Sequence, residues 1–244
     1  RITKKDLHDF YKSNYLSNEL SIVIVGDISK VEAEALGRKI SIGFPENKMA
    51  IAIPLVNYNK AQEVKISHPS KQAHLYYGAP IIKRGDPDFL TLYLGNYILG
   101  GGGFVSRLTQ EIREDRGLAY SVYSYFMPYI EAGPFKIGIQ TKKNQVKEAK
   151  ELIQKTVSGF IKDGPTPNEL KRAKDFMIGG FPLRLDSNKS ILEYVSMMAF
   201  YKYPLDYLET FTKKIDKITA EEIKSTFQRR VDMSKFSTVI VGSE

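Results

Sequence analysis

Apolar residues recur along the chain at two different periods. Val146, Ala149, Ile153, Val157 and Phe160 fall on one helical face, which predicts a long amphipathic helix. Thr166-Pro167-Asn168-Glu169 is a capping box with proline at the first helical position, so a second long helix starts there. Further helices are predicted from Asp86-Pro87-Asp88 to about Leu99, over Ser106–Arg116, and around Ile191–Phe200, Leu205–Ile215 and Thr219–Arg230. Two-residue alternation marks Leu118–Met127 and Gly133–Gln140 as an antiparallel hairpin, broken at Glu131-Ala132-Gly133. Gln62–His68 and Ala73–Ala79 read as another strand pair, joined by a Pro-Ser-Lys turn. Strands and helices segregate instead of alternating. The pattern therefore predicts an α+β fold, a two-layer antiparallel sheet with helices on one face.

Sliding the chain on itself exposes an internal repeat. Residues 2–26 align without a gap to residues 218–242, at a constant offset of 216 residues. Ile2/Ile218, Thr3/Thr219 and Ser21/Ser237 are identical, and Val23-Ile24-Val25-Gly26 returns as Val239-Ile240-Val241-Gly242. Each copy predicts a helix capped by Thr with Asp6 or Glu222 three residues on, then a β-branched strand ending at Gly. An offset of this size resembles a domain length. The chain starts at Arg1, without Met, and drops straight into patterned sequence, so it is expected to be a piece of something longer. Residues 1–42 are then the C-terminal tail of a preceding domain. Residues 43–61, with Pro45, Pro54 and no clear period, are an interdomain linker, and 62–244 are a complete second domain.

Composition narrows the chemistry. The 244 residues contain no cysteine, which excludes a disulfide scaffold, a thiolate zinc site and a cysteine nucleophile. His8, His68 and His74 are the only histidines, and neither H-E-x-x-H nor H-x-x-E-H occurs, so no metal site is expected here. A net charge of +8 raises nucleic acid as a partner. The basic residues are interleaved with acids, however, over Lys142–Glu151 and Lys213–Glu222, the pattern of solvated helix faces. No nucleic-acid partner is expected. The longest apolar run, around Leu20–Val25, fits a buried strand and falls far short of the ~20 residues of a membrane span.

Leu99–Phe104 (LGGGGF) follows a helix where a dinucleotide-binding unit has a strand, and no Gly-Lys-Ser/Thr follows it. It reads as a helix C-cap and hinge, or as a mobile, backbone-exposed loop beside a ligand or a neighbouring domain. No G-x-S-x-G elbow occurs, and Asp186-Ser187-Asn188 is turn-forming. What remains is Ser106–Tyr125, where a basic helix end with Arg107, Arg113 and Arg116 meets Gly117 and a Tyr-rich strand. Helix, Gly turn and strand can fold Arg113 and Tyr120 toward one surface. Guanidinium and phenol are donors suited to a carbonyl oxygen gaining negative charge. The same residues also fit an Arg113 ion pair with Glu114 or Asp115 and tyrosines half-buried in a sheet.

The stretch Leu99–Phe126 (LGGGGFVSRLTQEIREDRGLAYSVYSYF) resembles the second-domain signature of the pitrilysin/insulinase zinc metallopeptidases, which include mitochondrial processing peptidase. Gly133-Pro134-Phe135 and Gly179-Gly180-Phe181-Pro182-Leu183 are similar to bacterial two-domain members, and the likeness covers essentially the whole chain. It implies two similar α+β domains enclosing a chamber, with zinc held by H-x-x-E-H and a downstream Glu in the first. The second domain is a degenerate copy without metal. By this resemblance Tyr120 is the catalytic donor to the scissile carbonyl or its oxyanion, and Arg113 holds the substrate backbone. Gly101, Gly102 and Gly103 bind substrate from a loop, Gly100–Gly103, that faces the chamber. No cofactor is then expected in this chain, the zinc lying in the parent enzyme's first domain. The implied partners are the N-terminal catalytic domain of the same polypeptide or a homologous subunit, a peptide substrate, and a homo- or heterodimeric assembly. The isolated chain is expected to bind no stoichiometric zinc and to cleave no peptide. The alternative is a non-catalytic assembly or scaffold subunit of a heteromeric processing-peptidase-like complex. Exported bacterial relatives tilt the expected compartment toward the periplasm.

Overall fold

A computed structural model describes residues 1–45, 53–56 and 60–243. Of the predicted linker, residues 46–52 and 57–59 lie outside the described residues. The chain divides into two units, Arg1–Pro54 with Phe181–Tyr207, and Leu55–Gly180 with Leu208–Glu244.

The larger unit is built on five strands, β1 (Glu63–Ser67), β2 (Gln72–Ile82), β3 (Ala119–Phe126), β4 (Gly133–Lys142) and β5 (Ser237–Ser243), in the order β1-β5-β2-β4-β3. All neighbours run antiparallel except β1 and β5. The predicted β3–β4 hairpin forms, with Phe126 opposite Phe135. The predicted pairing of the first two strands does not. β5 is wedged between β1 and β2, pairing Val239 with both Val64 and Tyr76. Periodicity identifies a strand and its faces but not its neighbour. The four residues His68–Lys71 are long enough to step across two strand spacings of roughly 10 Å, so a short connection does not force a hairpin.

Alternation along β2 and β4 turns Leu75, Tyr77, Phe135, Ile137 and Ile139 inward, all buried. Against that face lie α3 (Phe89–Asn96), α4 (Val146–Asp163) and α8 (Ala220–Arg230). The predicted stripe of α4 is its buried face, with Ala149, Ile153, Val157 and Phe160 inaccessible to water. Phe126 stacks on Phe135 at 4.4 Å, and Phe227 meets Phe160 edge-on at 4.9 Å, tying β3, β4, α4 and α8 together. Arg230, in the last turn of α8, pins the start of α3 through Asp86 at 2.9 Å and Asp88 at 2.6 Å. The capping boxes of α5 (Pro167–Gly179) and α8 form as predicted, through Thr166/Glu169 and Thr219/Glu222. The last helix before α8 is α7 (Tyr207–Lys217), which buries Phe211 and Ile215.

The smaller unit carries α1 (Lys4–Asn14), α2 (Lys30–Ser41) and α6 (Asn188–Phe200). Thr3 caps α1 with Asp6, as the repeat predicts. Ser187, read from sequence as part of a turn, caps α6 by accepting from the Ser190 backbone. The strand expected at Leu20–Val25 does not form, because a strand exists only against a neighbour and none of the described residues pairs with it. Few side chains of this unit are buried, chiefly Leu16, Phe181 and Met198, while Ile2, Leu7, Phe10, Val31 and Leu205 are exposed.

Candidate functional site

Two irregular helical turns flank the glycine tract. α3 widens into a π-helical turn over Tyr97–Gly101, and a second π-helical turn spans Thr109–Glu114. Gly100 and Gly101 thus sit inside a helical turn rather than the expected loop, and Gly103 opens a short 3₁₀ turn to Val105. Wide turns of this kind are uncommon and recur at functional sites. A Cβ on Gly100 would stand 2.3 Å from Ser124 Oγ, so only glycine lets this turn lie against β3. Asn96 fastens the same contact. Its amide donates to Ser124 O at 3.0 Å and its carbonyl accepts from Ser124 Oγ at 2.6 Å, all buried.

The second π turn aims Arg113. Gly117, at φ +63, reverses the chain, while Gly117 N donates to Arg113 O and Leu118 N to Ile112 O. β3 starts there, and its pairing skips from Ala119 opposite Thr141 to Ser121 opposite Gln140. Tyr120 is therefore a bulged residue on the sheet's edge strand, where such insertions re-aim a side chain. It is 82% exposed. The Arg113 guanidinium carbon lies 5.3 Å from the Tyr120 ring centre and 4.6 Å from that of Phe104. Arg113 Nε also lies 3.4 Å from Glu114 Oε1. Both expectations for Arg113 hold together: it is paired locally, and it stands with Tyr120 on one surface.

Beside this stack is a recess of about 410 Å³, lined among others by Tyr97, Gly100, Gly101, Gly103, Ser121 and Tyr123. Gly101 and Gly103 border it; Gly102 packs against Tyr97. Burial pushes the Tyr123 hydroxyl above its ordinary range, although Lys136 nearby pulls it down. Phe104 and the Asn96–Ser124 pair were missed by sequence reasoning. An exposed aromatic directly after four glycines was the available signal for Phe104. Nothing local marks Asn96, which is separated from Ser124 by 28 residues.

Arg107 belongs to the framework instead. Its guanidinium donates twice to Glu169 at 2.7 Å and once to Gly164 O, and lies 5.1 Å from the Phe160 ring centre. Burial raises the Glu169 pKa, but Arg107 and the Thr166 backbone and hydroxyl outweigh it, holding the carboxyl at about 2. Among the described residues no group of three or more His, Cys, Asp or Glu is placed to hold a metal ion. The described residues do not form a zinc site.

A family profile described as the peptidase M16 inactive domain matches residues 1–177. The chain belongs to the peptidase M16 inactive-domain family. Consistent with the resemblance read from Leu99–Phe126, several of its relatives carry zinc-protease names. This M16 chain is 29% identical over its whole length to a Helicobacter pylori protein named a non-peptidase homolog, of which it covers 56%. It is 32% identical, over 75% of its length, to a Bacillus subtilis protein named an uncharacterised zinc protease, covering 43% of that protein. A solved peptidase M16 inactive domain from Pseudomonas fluorescens superposes with a TM-score of 0.93 at 36% identity, over all of this chain and 58% of that one. The M16 chain thus spans about half the length of the relatives it matches.

Proposed function

We propose that the chain is the non-zinc-binding portion of a zinc-dependent metalloendopeptidase, closing its substrate chamber and supplying Arg113 and Tyr120 to peptide bound there. The observation that carries this reading is the Phe104–Arg113–Tyr120 stack. Two rings restrain a guanidinium that would otherwise sample many rotamers, so its donors are organised before substrate arrives. Tyr120 stands on the same surface with its ring exposed. In this reading its hydroxyl donates to the scissile carbonyl oxygen as that oxygen gains charge, while Arg113 holds a neighbouring backbone carbonyl. The zinc and the water it activates belong to a partner, either an N-terminal domain of the same polypeptide or a homologous subunit. Residues 1–42 are read as the tail of that preceding domain, 43–61 as the linker and 62–244 as the second domain. Exposed Ile2, Leu7, Phe10 and Val31 support a covering partner for the first of these segments.

The test is a substitution in the complete enzyme. Tyr120→Phe should lower kcat by about a hundredfold, the scale of a lost oxyanion donor, with little change in KM. An unchanged kcat removes Tyr120 from the mechanism.

A second reading is a non-catalytic assembly subunit, favoured by the name of the Helicobacter pylori relative. In that case the complete protein has no peptidase activity for Tyr120→Phe to reduce.

A further inference from the structure

Lys142–Glu151 reads in sequence as a solvated, charge-balanced helix face. In three dimensions its lysines are gathered. Lys142, Lys143 and Lys147, at the junction of β4 and α4, share a groove with Lys71 just before β2, and Lys65 on β1 and Lys150 on α4 complete the set. These six lysines line an open groove of about 1070 Å³ in which Glu63 and Glu151 are the only acids. Glu63 is already engaged by Lys150 and by Lys65. Among the described residues, Lys71, Lys142, Lys143 and Lys147 make no ion pair. The groove is a concentrated positive field over an apolar floor that includes Ile240 and Val146.

A second feature borders it. β1 is an edge strand whose five residues are all exposed, and among the described residues β5 is its only strand neighbour. The N–H and C=O groups along its outer side therefore face no strand of the described chain. Lysine on an edge discourages pairing with another copy of the same strand. It does not discourage a segment of opposite charge. Register fixes what such a segment would look like. Glu63 and Lys65 point to the α4 side and line the groove, whereas Val64 and Ile66 project from the other face and are exposed. A strand added here would present alternate residues to the lysines and the rest beside Val64 and Ile66.

We infer that β1 and the lysine groove form a docking site for an acidic, extended polypeptide segment. It adds to β1 as a sixth strand, with carboxylates at alternate positions facing Lys71, Lys142, Lys143 and Lys147 and apolar residues between them. The groove lining contains no aromatic ring on which a base could stack, which favours polypeptide over single-stranded nucleic acid.

The test is fluorescence anisotropy on the 244-residue chain with a labelled decapeptide of alternating Glu and Val. Saturable binding is expected. It should weaken by about tenfold or more when Lys142, Lys143 and Lys147 are replaced together by Glu. N-methylation of alternate peptide amides, which removes backbone donors and leaves the charge intact, should weaken it by a similar factor without altering the protein. Four outcomes overturn the proposal: no saturable binding, equal affinity for the N-methylated peptide, equal affinity of the triple variant, or tighter binding of an oligothymidylate of equal charge.

Discussion

Arg107 and Arg113 stand six residues apart on the same segment and do opposite work. Arg107 is enclosed by Glu169, Gly164 and Phe160, so its charge is consumed inside the framework. Arg113 keeps one carboxylate neighbour and two aromatic faces, and so retains donors for something else. The Arg107–Glu169 pair has a pH consequence. Glu169 titrates at about 2 in the folded chain against an ordinary 4.5, so its contribution is full above about pH 4.5 and is lost as pH falls toward 2. A shift of that size corresponds to about 3 kcal/mol at neutral pH. Glu169→Gln should lower Tm at pH 7 and leave a shallower decline in stability between pH 4.5 and 2 than the parent chain shows. Thermal melts across that range decide it, and parallel declines would show that Glu169 is not the titrating group.

Between α3 and β3 the contact is set by glycine, a serine hydroxyl and a buried amide rather than by bulk. Gly100→Ala should therefore destabilise the chain by about 1–3 kcal/mol, since Ser124 and Leu108 both stand in the way of a methyl group. Chemical denaturation measures this, and Gly159→Ala, where the added methyl group meets nothing, is the matched control. Elements of this kind show where sequence reading stops. α4, α5, α8 and the β3–β4 hairpin were legible because periodicity and capping boxes are local signals. The Arg113–Tyr120 surface was legible for the same reason, since one glycine turn joins the two residues. The π-helical turns were not, because a widened turn leaves no periodic mark over so few residues. Nor was the position of β5 between β1 and β2, or the gathering of lysines from β1, the β1–β2 connection, the end of β4 and α4, which depend on partners far away in sequence. The strand pattern at Leu20–Val25 is as good as that of β5, yet among the described residues only β5 has neighbours to pair with.

At the level of the molecule, the two units have contrasting surfaces. The larger buries a continuous aromatic and aliphatic core; the smaller leaves Ile2, Leu7, Phe10, Val31 and Leu205 facing outward. Membership of the M16 inactive-domain family accounts for the lack of a zinc motif in the sequence, and it agrees with the absence of a metal-binding group among the described residues. The purified chain, dialysed and measured by elemental analysis, should hold well under one zinc per molecule and leave a quenched peptide substrate intact. Stoichiometric zinc together with chelator-sensitive cleavage would contradict this.

The placement of β5 also dictates an order of events during synthesis. β2 and β3 can pair with β4 once it leaves the ribosome, since β4 lies between these two strands already made. β1, although made first, has no strand neighbour among the described residues until Ser237–Ser243 has been translated. A nascent chain thus carries an incomplete three-stranded sheet until β5 is made, with the β2 edge from His74 to Gly78 awaiting its partner strand. In this sheet the strand made last, β5, is the one that closes the core.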